Sequence, residues 1–451
     1  MKKFKTYGLI AFLFGAIISC EKELDIEPIQ EIPQEVALSS SENIVNLLTG
    51  AYESAGNIDA YGGRLQMLSD LYGFTDQATW VGTFQQPRQV FSKNILVNNS
   101  FIRDFWGNAY STINMANLVI DHIDIVEPDL QKSVMGQALF LRALSYFDLV
   151  RFFGANYEPG AQNTQPGVPL SLKGITDYDT DLTIARSSVE EVYAQVISDL
   201  QEAYELLKSP NSYFAGKYTT KALLARVYLQ QGNYQGALQA ASEVITDSKY
   251  KLTPSFEGAF NNDVNSTEDI FAIQITSQDG TNDLITHYAD QPFGGRGGDI
   301  VVEETYIDLF DDENDERAGF FYISDYNGGT LTSKYTNQFG NVPVIRLAEM
   351  YLIRAECNLR LGSETGDSPL NDVNTIRQRA GAAPRAAVTL DDILLERELE
   401  LAFEGFLIHD LKRTQRSVGE LPYNDNRLLY PIPQREMDVN SLLEQNPGYG
   451  N

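Results

Sequence analysis

A single cysteine directly behind an apolar segment is the residue of this chain whose position points most clearly to a chemical modification. Lys2, Lys3 and Lys5 precede an apolar run over residues 7–19, and Cys20 follows at once. The run is shorter than the ~20 residues that a membrane-spanning helix needs, and its layout is that of a secretory signal. Bacterial lipoproteins are cleaved and acylated at such a cysteine, although Ile17 stands where leucine is usual. We predict a signal peptide over 1–19 and a lipid anchor on Cys20, with a plain signal peptide as the alternative.

A row of carboxylates near the C-terminus offers the chemistry of a hydrolase. Glu396, Glu398, Glu400 and Glu404 lie close together, three of them roughly on one face of a predicted helix with arginines nearby. The two carboxylates of a glycosidase face each other across a cleft, ~5–9 Å apart. A row along one helix therefore predicts structural ion pairs.

Other motifs for catalysis and metal binding are weak or absent in the sequence. The acidic run 311–316 lacks the glycine and spacing of an EF-hand loop, so we predict a solvated acidic face. The three histidines lack metal-ligand spacing, and no nucleophile-elbow, zinc-protease or phosphate-loop motif occurs. We predict no metal, no cofactor and no enzymatic activity.

The net charge bears on possible partners, and the cysteine count bears on possible thiol chemistry. A formal net charge of −28 argues against nucleic acid as a partner, because phosphates require patches of lysine and arginine. Cys357 is the one cysteine besides Cys20, and it lies in a predicted helix. We expect it to be a buried, inert thiol.

The elements that must position any site are predicted to be mainly α-helices. Within 219–247, small and aromatic residues follow the spacing of a tetratricopeptide unit: Ala225, Tyr228, Gly232, Tyr234, Ala237, Ala241 and Val244. Ala355 and Gly362 repeat part of that pattern before a second helix at 370–380. Further helices are predicted over 134–153 and 190–207, the latter starting from a capping-box-like Ser187 to Glu190.

These units predict an α-solenoid framework, because repeats of this kind bury a core only when several stack. We expect a tether over 20–38 and then a single domain over 39–451, with the repeat units within about 190–250 and 344–382. Two long insertions, 56–100 and 250–343, are rich in Gly, Asn, Asp, Thr and aromatic residues and carry short strands such as 270–276. Insertions of this length are usually functional or disordered, and their aromatic content argues against disorder.

Several segments, in their order behind Cys20, are together typical of one protein family. They are Phe105-Trp106-Gly-Asn-Ala-Tyr110, Asn114-Met-Ala-Asn117, Gly136-Gln-Ala-Leu-Phe-Leu-Arg142, Arg346-Leu-Ala-Glu349, Asn374-Thr-Ile-Arg377, Glu396-Arg-Glu-Leu-Glu400 with Glu404-Gly405 and Arg413, and Asn446-Pro-Gly-Tyr449. With the tetratricopeptide unit, the chain resembles the SusD/RagB family of outer-membrane nutrient-binding lipoproteins over nearly its whole length.

The resemblance implies a surface lipoprotein that captures a polysaccharide or oligosaccharide and delivers it to a SusC-like, TonB-dependent transporter. Glu21-Lys22-Glu23, directly behind Cys20, resembles a signal for export to the cell exterior. Two other classes stay open at this point. One is a surface glycoside hydrolase or lyase, and the other is a tetratricopeptide scaffold that binds a protein peptide.

If the ligand is a glycan, the two insertions supply the residue types that sugar recognition needs, namely flat aromatic faces beside polar side chains. The first insertion offers Asp70, Asp76, Gln77, Trp80, Phe84, Gln85 and Arg88. The second offers His287, Tyr288, Phe293 and Arg296, among glycines that let the backbone approach a ligand. Trp106, which lies in a helix, is predicted to belong to the core.

Three arginines in these insertions raise the question of a charged ligand. Arg64, Arg88 and Arg296 are retained in an otherwise acidic protein, and a guanidinium matches sulfate or carboxylate with a fork of donors. The hypothesis is an anionic algal glycan such as ulvan. The alternative is a neutral glucan or fructan, with these arginines merely offsetting neighbouring acids.

Overall fold

The fold is mainly helical, as the sequence predicts. A computed structural model describes residues 38–177, 181–209, 212–246, 249–278 and 280–450. The predicted signal peptide, Cys20 and the tether lie outside these residues. No helix among the described residues is long and apolar enough to cross a membrane.

The helices are numbered here in chain order. The first eight are α1 (Ser41–Ala55), α2 (Arg64–Gly73), α3 (Gln85–Phe91), α4 (Ser100–Asp121), α5 (Pro128–Phe153), α6 (Val189–Leu206), α7 (Lys217–Gln230) and α8 (Tyr234–Thr246). The others are α9 (Asp283–Tyr288), α10 (Glu304–Ile307), α11 (Leu347–Leu361), α12 (Pro369–Arg379), α13 (Leu390–Glu400), α14 (Leu407–Arg413) and α15 (Gln434–Val439).

Long helices stack side by side, each against the next, to form the predicted solenoid. The order of neighbours is α1, α4, α5, α6, α7, α8, α11 and α12. The turn from α7 to α8 passes through Gly232 with a φ of 72°, and α11 ends at Gly362 with a φ of 63°. Both angles are left-handed and favour glycine, which explains the glycine at each turn. The tetratricopeptide-like framework is thus confirmed.

The start of α6 differs by one residue from the prediction. Ser188 caps the helix by accepting a hydrogen bond from the backbone of Glu191, whose carboxylate in turn accepts one from the backbone of Ser188. The capping box is therefore Ser188 to Glu191, and the predicted Ser187 to Glu190 was wrong by one position. Two consecutive serines and two consecutive glutamates made both registers equally plausible.

Six short strands occur among the described residues and form two antiparallel sheets. The strands are β1 (Ala78–Trp80), β2 (Asp269–Ile273), β3 (Ile300–Val302), β4 (Phe321–Ile323), β5 (Thr330–Thr332) and β6 (Val342–Arg346). One sheet has the order β1-β3-β5-β4, and the other pairs β2 with β6. In the first sheet Thr79 lies opposite Val301, so the two insertions meet in one structural region.

The insertions contain more helix than the sequence indicated. Residues 64–73, expected to be loop, form α2, and His287 and Tyr288 belong to α9. Nearly every side chain of α2 is buried, because the helix packs against α14, α3 and α9. A helix buried on all sides lacks the alternation of polar and apolar faces by which helices are recognised, which is why the composition alone was misleading here.

Buried ion pairs replace the acid–base chemistry that the glutamate row suggested. Arg317 Nη1 lies 2.6 Å from Glu396 Oε1, and Arg346 Nη2 lies 2.7 Å from Glu404 Oε1. The prediction of structural ion pairs is confirmed for these carboxylates. The predicted continuous helix is wrong at Glu404, because α13 ends at Glu400 and Phe403 follows with a φ of 64°.

The acidic run is only partly solvated. Asp315 and Arg317 are buried, and Arg317 reaches both Glu396 and Glu400. The expectation of a solvated acidic face is therefore wrong at Asp315, whose carboxylate binds this buried guanidinium. Trp106 and Cys357 are buried as expected, and burial raises the pKa of the Cys357 thiol to about 12.

Candidate functional site

A half-exposed aromatic ring covered by a guanidinium marks the region where the two insertions meet. Phe84 follows β1, directly before α3, and is 36% exposed. The guanidinium carbon of Arg296 lies 3.9 Å from the centre of the Phe84 ring. Arg296 also donates to Thr83 Oγ1 at 3.0 Å and pairs with Asp299 Oδ2 at 3.2 Å. These contacts fix the arginine over the ring while part of its side chain stays accessible.

His287 and Trp80 support this pair from the interior. His287 Nδ1 lies 2.8 Å from Asp299 Oδ2, the carboxylate oxygen that also binds Arg296. The imidazole centre is 6.0 Å from the Phe84 ring and 5.6 Å from the Trp80 ring. His287 and Trp80 are both buried. They form a layer behind Phe84, and neither exposes a face on which a sugar could stack.

Asp70 and Tyr288 lie deeper still. The Tyr288 hydroxyl donates to Asp70 Oδ2 at 2.8 Å, and the backbone N–H of Gly405 donates to Asp70 Oδ1 at 2.8 Å. Burial raises the pKa of Asp70 to about 8, although these two hydrogen bonds act in the opposite direction. The pair ties α2 to α9 and to the chain after α13.

The structure therefore separates the predicted glycan contacts into two groups. Asp70, Trp80, His287 and Tyr288 are buried, so their side chains are not available to a ligand from the surface. We expected them in exposed loops, but three lie in helices, and Trp80 lies in strand β1. In our account they support the site, and direct contact with a glycan is proposed only for the accessible residues.

The accessible candidates lie at different places on this surface. Arg88 is exposed on α3 and donates to the carbonyl of Gly82 at 2.5 Å. Phe293 is part-exposed and packs edge-to-face on Tyr322 of β4, with ring centres 5.3 Å apart. Asp76 is exposed before the other end of β1, where its carboxylate accepts a hydrogen bond from Thr75.

Arg64 offsets neighbouring acids, which is the alternative to ligand binding that the sequence left open. Its guanidinium pairs with Asp59 and lies 3.1 Å from Asp283 Oδ2. It also covers the ring of Phe101 at 4.0 Å. Its positive charge is offset by neighbouring acids.

Tyr326 is a surface aromatic residue that sequence reasoning missed. It is 66% exposed in the turn between β4 and β5. A side chain at Gly297, whose φ is 116°, would come within 2.5 Å of Tyr326 Cδ1, so the ring lies against the segment that carries Arg296. Asn327 Nδ2 donates to the carbonyls of Gly297 and Gly298 and holds this turn in place. The sequence did contain a signal for it. Tyr326 precedes Asn-Gly-Gly, which is typical of a hairpin turn, and an aromatic residue in such a turn is expected at the surface.

We refer to Phe84, Arg296 and Tyr326 as the aromatic patch. Its two rings offer flat apolar faces, and its guanidinium offers hydrogen-bond donors that suit hydroxyl, carboxylate or sulfate groups. The guanidinium is attracted to the face of the Phe84 ring, which helps to keep the two groups together. No group of side chains suited to a metal ion occurs among the residues that the structure describes. The residue types of the patch suit a polar, ring-shaped ligand.

Comparisons with known proteins agree with this architecture. Residues 22–229 match a family described as "Starch-binding associating with outer membrane", and residues 313–420 match the SusD family. SusD-like protein P2 of Formosa agariphila is 26% identical, and the alignment covers 100% of both chains. The starch-binding protein SusD of Bacteroides thetaiotaomicron is 23% identical, over 100% of this chain and 99% of that protein.

A solved structure gives the same result for the fold. A SusD superfamily protein of Bacteroides thetaiotaomicron has a TM-score of 0.79 and 25% identity, covering 90% of this chain and 100% of that one. The fold and the sequence matches define a helical, repeat-based binding protein. The chain belongs to the SusD/RagB family.

Proposed function

We propose that this protein binds carbohydrate through the aromatic patch. The observation that carries the proposal is the guanidinium of Arg296 held over the part-exposed ring of Phe84, with Tyr326 against the adjoining glycine segment. The family match and the starch-binding relative support carbohydrate as the ligand class. Rigid aromatic faces with a few fixed polar groups are the usual means of orienting such a ligand.

A pair of phenylalanine variants tests the location of the site. Phe84→Ala removes a stacking face worth ~0.5–1.5 kcal/mol, so affinity for the polysaccharide should fall about two- to tenfold. Phe214 is the matched control, because it is similarly exposed (41%) but packs on Tyr52 of α1. Calorimetric titration should show unchanged binding by Phe214→Ala. Equal losses in both variants would place the site elsewhere.

We further propose that the bound glycan is delivered to a SusC-like, TonB-dependent transporter in the outer membrane. The family match, whose description includes outer-membrane association, supports this role. Cross-linking in native membranes, followed by identification of the linked peptides, tests it directly. A transporter of that class should be the main linked partner. Linking only to a soluble periplasmic peptide would instead favour the scaffold function.

An anionic ligand such as ulvan is the finer proposal. Two positively charged side chains, Arg88 and Arg296, are exposed at or near the aromatic patch in a protein with a net charge of −28. Exposed arginines of this kind bind sulfate or carboxylate groups in a salt-dependent manner. The effect of added salt on affinity tests this proposal.

We propose a binding protein that does not cleave its ligand. Glu396, Glu400 and Glu404, three of the four glutamates in the row, are held in buried ion pairs with Arg317 and Arg346. Incubation of the purified protein with algal and plant polysaccharides should release neither reducing ends nor unsaturated products. Release of either product, lost in a Glu396→Gln variant, would establish a hydrolase or lyase.

A further inference from the structure

A polar groove lies outside the aromatic patch, between the chain that follows α5 and the loop at 423–429. Its volume is about 220 Å³. A water molecule occupies ~30 Å³ of liquid, so the groove has room for about seven waters, which is the scale of one sugar residue. Its polar lining comprises Asn156, Glu158, Gln165, Lys412, Tyr423, Asn424, Asp425 and Asn426.

Lys412 brings a buried positive charge to this groove. Its Nζ donates to the carbonyl of Leu428 at 2.9 Å and, at a long 3.4 Å, to that of Arg151. It forms no ion pair with a carboxylate among the described residues. An ammonium group has three N–H donors, so at least one is left for a ligand. A buried charge without a counter-ion is costly, and burial, together with Arg151, lowers the pKa of Lys412 to about 7.

The two acids that line the groove are already engaged. Asp425 binds Arg427 through a pair of contacts, each 3.0 Å long. Glu158 accepts a hydrogen bond from Gln415 Nε2 at 3.4 Å and another from the Tyr423 hydroxyl. Neither carboxylate is within ion-pair distance of Lys412. The positive charge of Lys412 therefore remains available for an anionic group.

The rim of the groove supplies groups suited to hydroxyls. Asn424 and Asn426 are exposed, and their side-chain amides make no hydrogen bond to any other described residue. Each amide offers a donor and an acceptor. Tyr423 adds an aromatic ring to the wall. A simple inorganic anion would leave these groups unused.

We propose that this groove is a second binding site, which takes a single carboxylated sugar residue. The carboxylate would accept a hydrogen bond from Lys412 Nζ, and the sugar hydroxyls would bind the amides of Asn424 and Asn426. The site shares no residue with the aromatic patch, so it stands or falls independently of the function proposed above.

Calorimetric titration of the purified protein with two small glycosides tests the proposal. At about pH 6, methyl glucuronide should bind at least tenfold more tightly than methyl glucoside. This preference should disappear at about pH 8.5, where Lys412 is neutral. Lys412→Met should show no preference at either pH, and Asn426→Ala should weaken binding of both sugars.

Two controls separate the possible outcomes. Phe84→Ala should leave glucuronide binding unchanged, because the aromatic patch is a different site. If Lys412→Met does not fold, the pH comparison on the wild-type protein and Asn426→Ala decide. Equal affinity for the two glycosides at about pH 6, or an affinity for glucuronide that Asn426→Ala leaves unchanged, would overturn the proposal. Either result could coexist with intact polysaccharide binding by the aromatic patch.

Discussion

The proposed role of Arg296 as a ligand contact depends on the residues that hold its side chain. It is bound by Thr83 and Asp299 and lies on Phe84, so its guanidinium loses little freedom when a ligand binds. Asp299 is fixed in turn by His287. A pre-ordered arginine of this kind is a stronger anion ligand than a mobile surface lysine.

Salt dependence therefore distinguishes a charged glycan from a neutral one. If the ligand is anionic, Arg296→Gln should weaken binding and also flatten the decline of affinity with added salt. Phe84→Ala should weaken binding and leave that decline unchanged. Calorimetry at two salt concentrations measures both effects. Equal salt dependence in the wild type and Arg296→Gln would remove the charge argument.

Trp80 is unsuitable for the same comparison. The sequence placed it among the ligand contacts, but its side chain is buried against His287. Trp80→Ala would open a cavity and destabilise the fold by ~3–5 kcal/mol, so any loss of binding would be indirect. An isolated tryptophan among Gly, Thr and Gln gives no sequence signal of the sheet that covers it.

Asp70 should make stability depend on pH. The pKa of its buried carboxyl is raised to about 8, whereas the ordinary value is 3.8. The folded protein then keeps a proton that the unfolded chain has released, so this residue lowers the free energy of unfolding as pH rises from about 4 to 8. Asp70→Asn does not titrate; its amide oxygen can accept from the N–H of Gly405, and its amide nitrogen can donate to the hydroxyl oxygen of Tyr288.

Unfolding by denaturant at several pH values measures this effect. Between about pH 5 and 8, stability of the wild type relative to Asp70→Asn should fall by up to ~1.4 kcal/mol per pH unit. Because only the difference between the two proteins is used, other buried groups such as His409 cancel. A difference that is constant across this range would show that Asp70 is ionised in the folded protein.

At the scale of elements, the repeat helices were predictable and the buried short helices were not. The spacing of Ala225, Gly232 and Ala237 in the sequence is visible because one face of each repeat helix carries small residues. Helices α2 and α9 carry no such pattern, since they are enclosed by their neighbours. The insertions could be located from composition, but the burial of Asp70 and Tyr288 depends on packing that composition does not encode.

The two repeat turns allow a matched test of the solenoid. Gly232→Ala and Gly362→Ala both place a side chain in the left-handed region, which costs ~1–2 kcal/mol. At Gly232 the new Cβ would also lie 2.8 Å from Pro159 Cγ, whereas nothing lies within 4 Å at Gly362. Thermal unfolding should show the larger loss for Gly232→Ala. A larger loss for Gly362→Ala would contradict the packing of Pro159 on this turn.

At the scale of the whole molecule, the site depends on contacts between distant parts of the chain. Strand β1 pairs with β3, so Thr79 and Val301 become neighbours. Each insertion could be identified separately from the sequence, together with Phe84 and Arg296. Their direct contact could not, because a pairing across so many residues is set by the framework that brings the two insertions together.

The predicted anchor, Cys20, lies outside the residues that the structure describes, so it has to be tested on the full chain. If Cys20 is acylated, labelling with a fatty-acid analogue should mark the wild type and not Cys20→Ala, and only the wild type should remain with the outer membrane on fractionation. Cys357→Ala is the control, because that thiol is buried and should carry no label. Equal label on the wild type and Cys20→Ala would refute the anchor.

Carbohydrate binding by the aromatic patch is tested most directly by affinity electrophoresis. The purified protein is run in native gels that contain ulvan, laminarin, starch or levan. We predict that at least one polysaccharide retards the wild type, that Phe84→Ala and Tyr326→Ala reduce this retardation, and that Phe214→Ala does not. We expect ulvan to retard the wild type, and we expect added salt to weaken this retardation. Retardation that is identical in the wild type, Phe84→Ala and Tyr326→Ala would contradict a carbohydrate site at the aromatic patch.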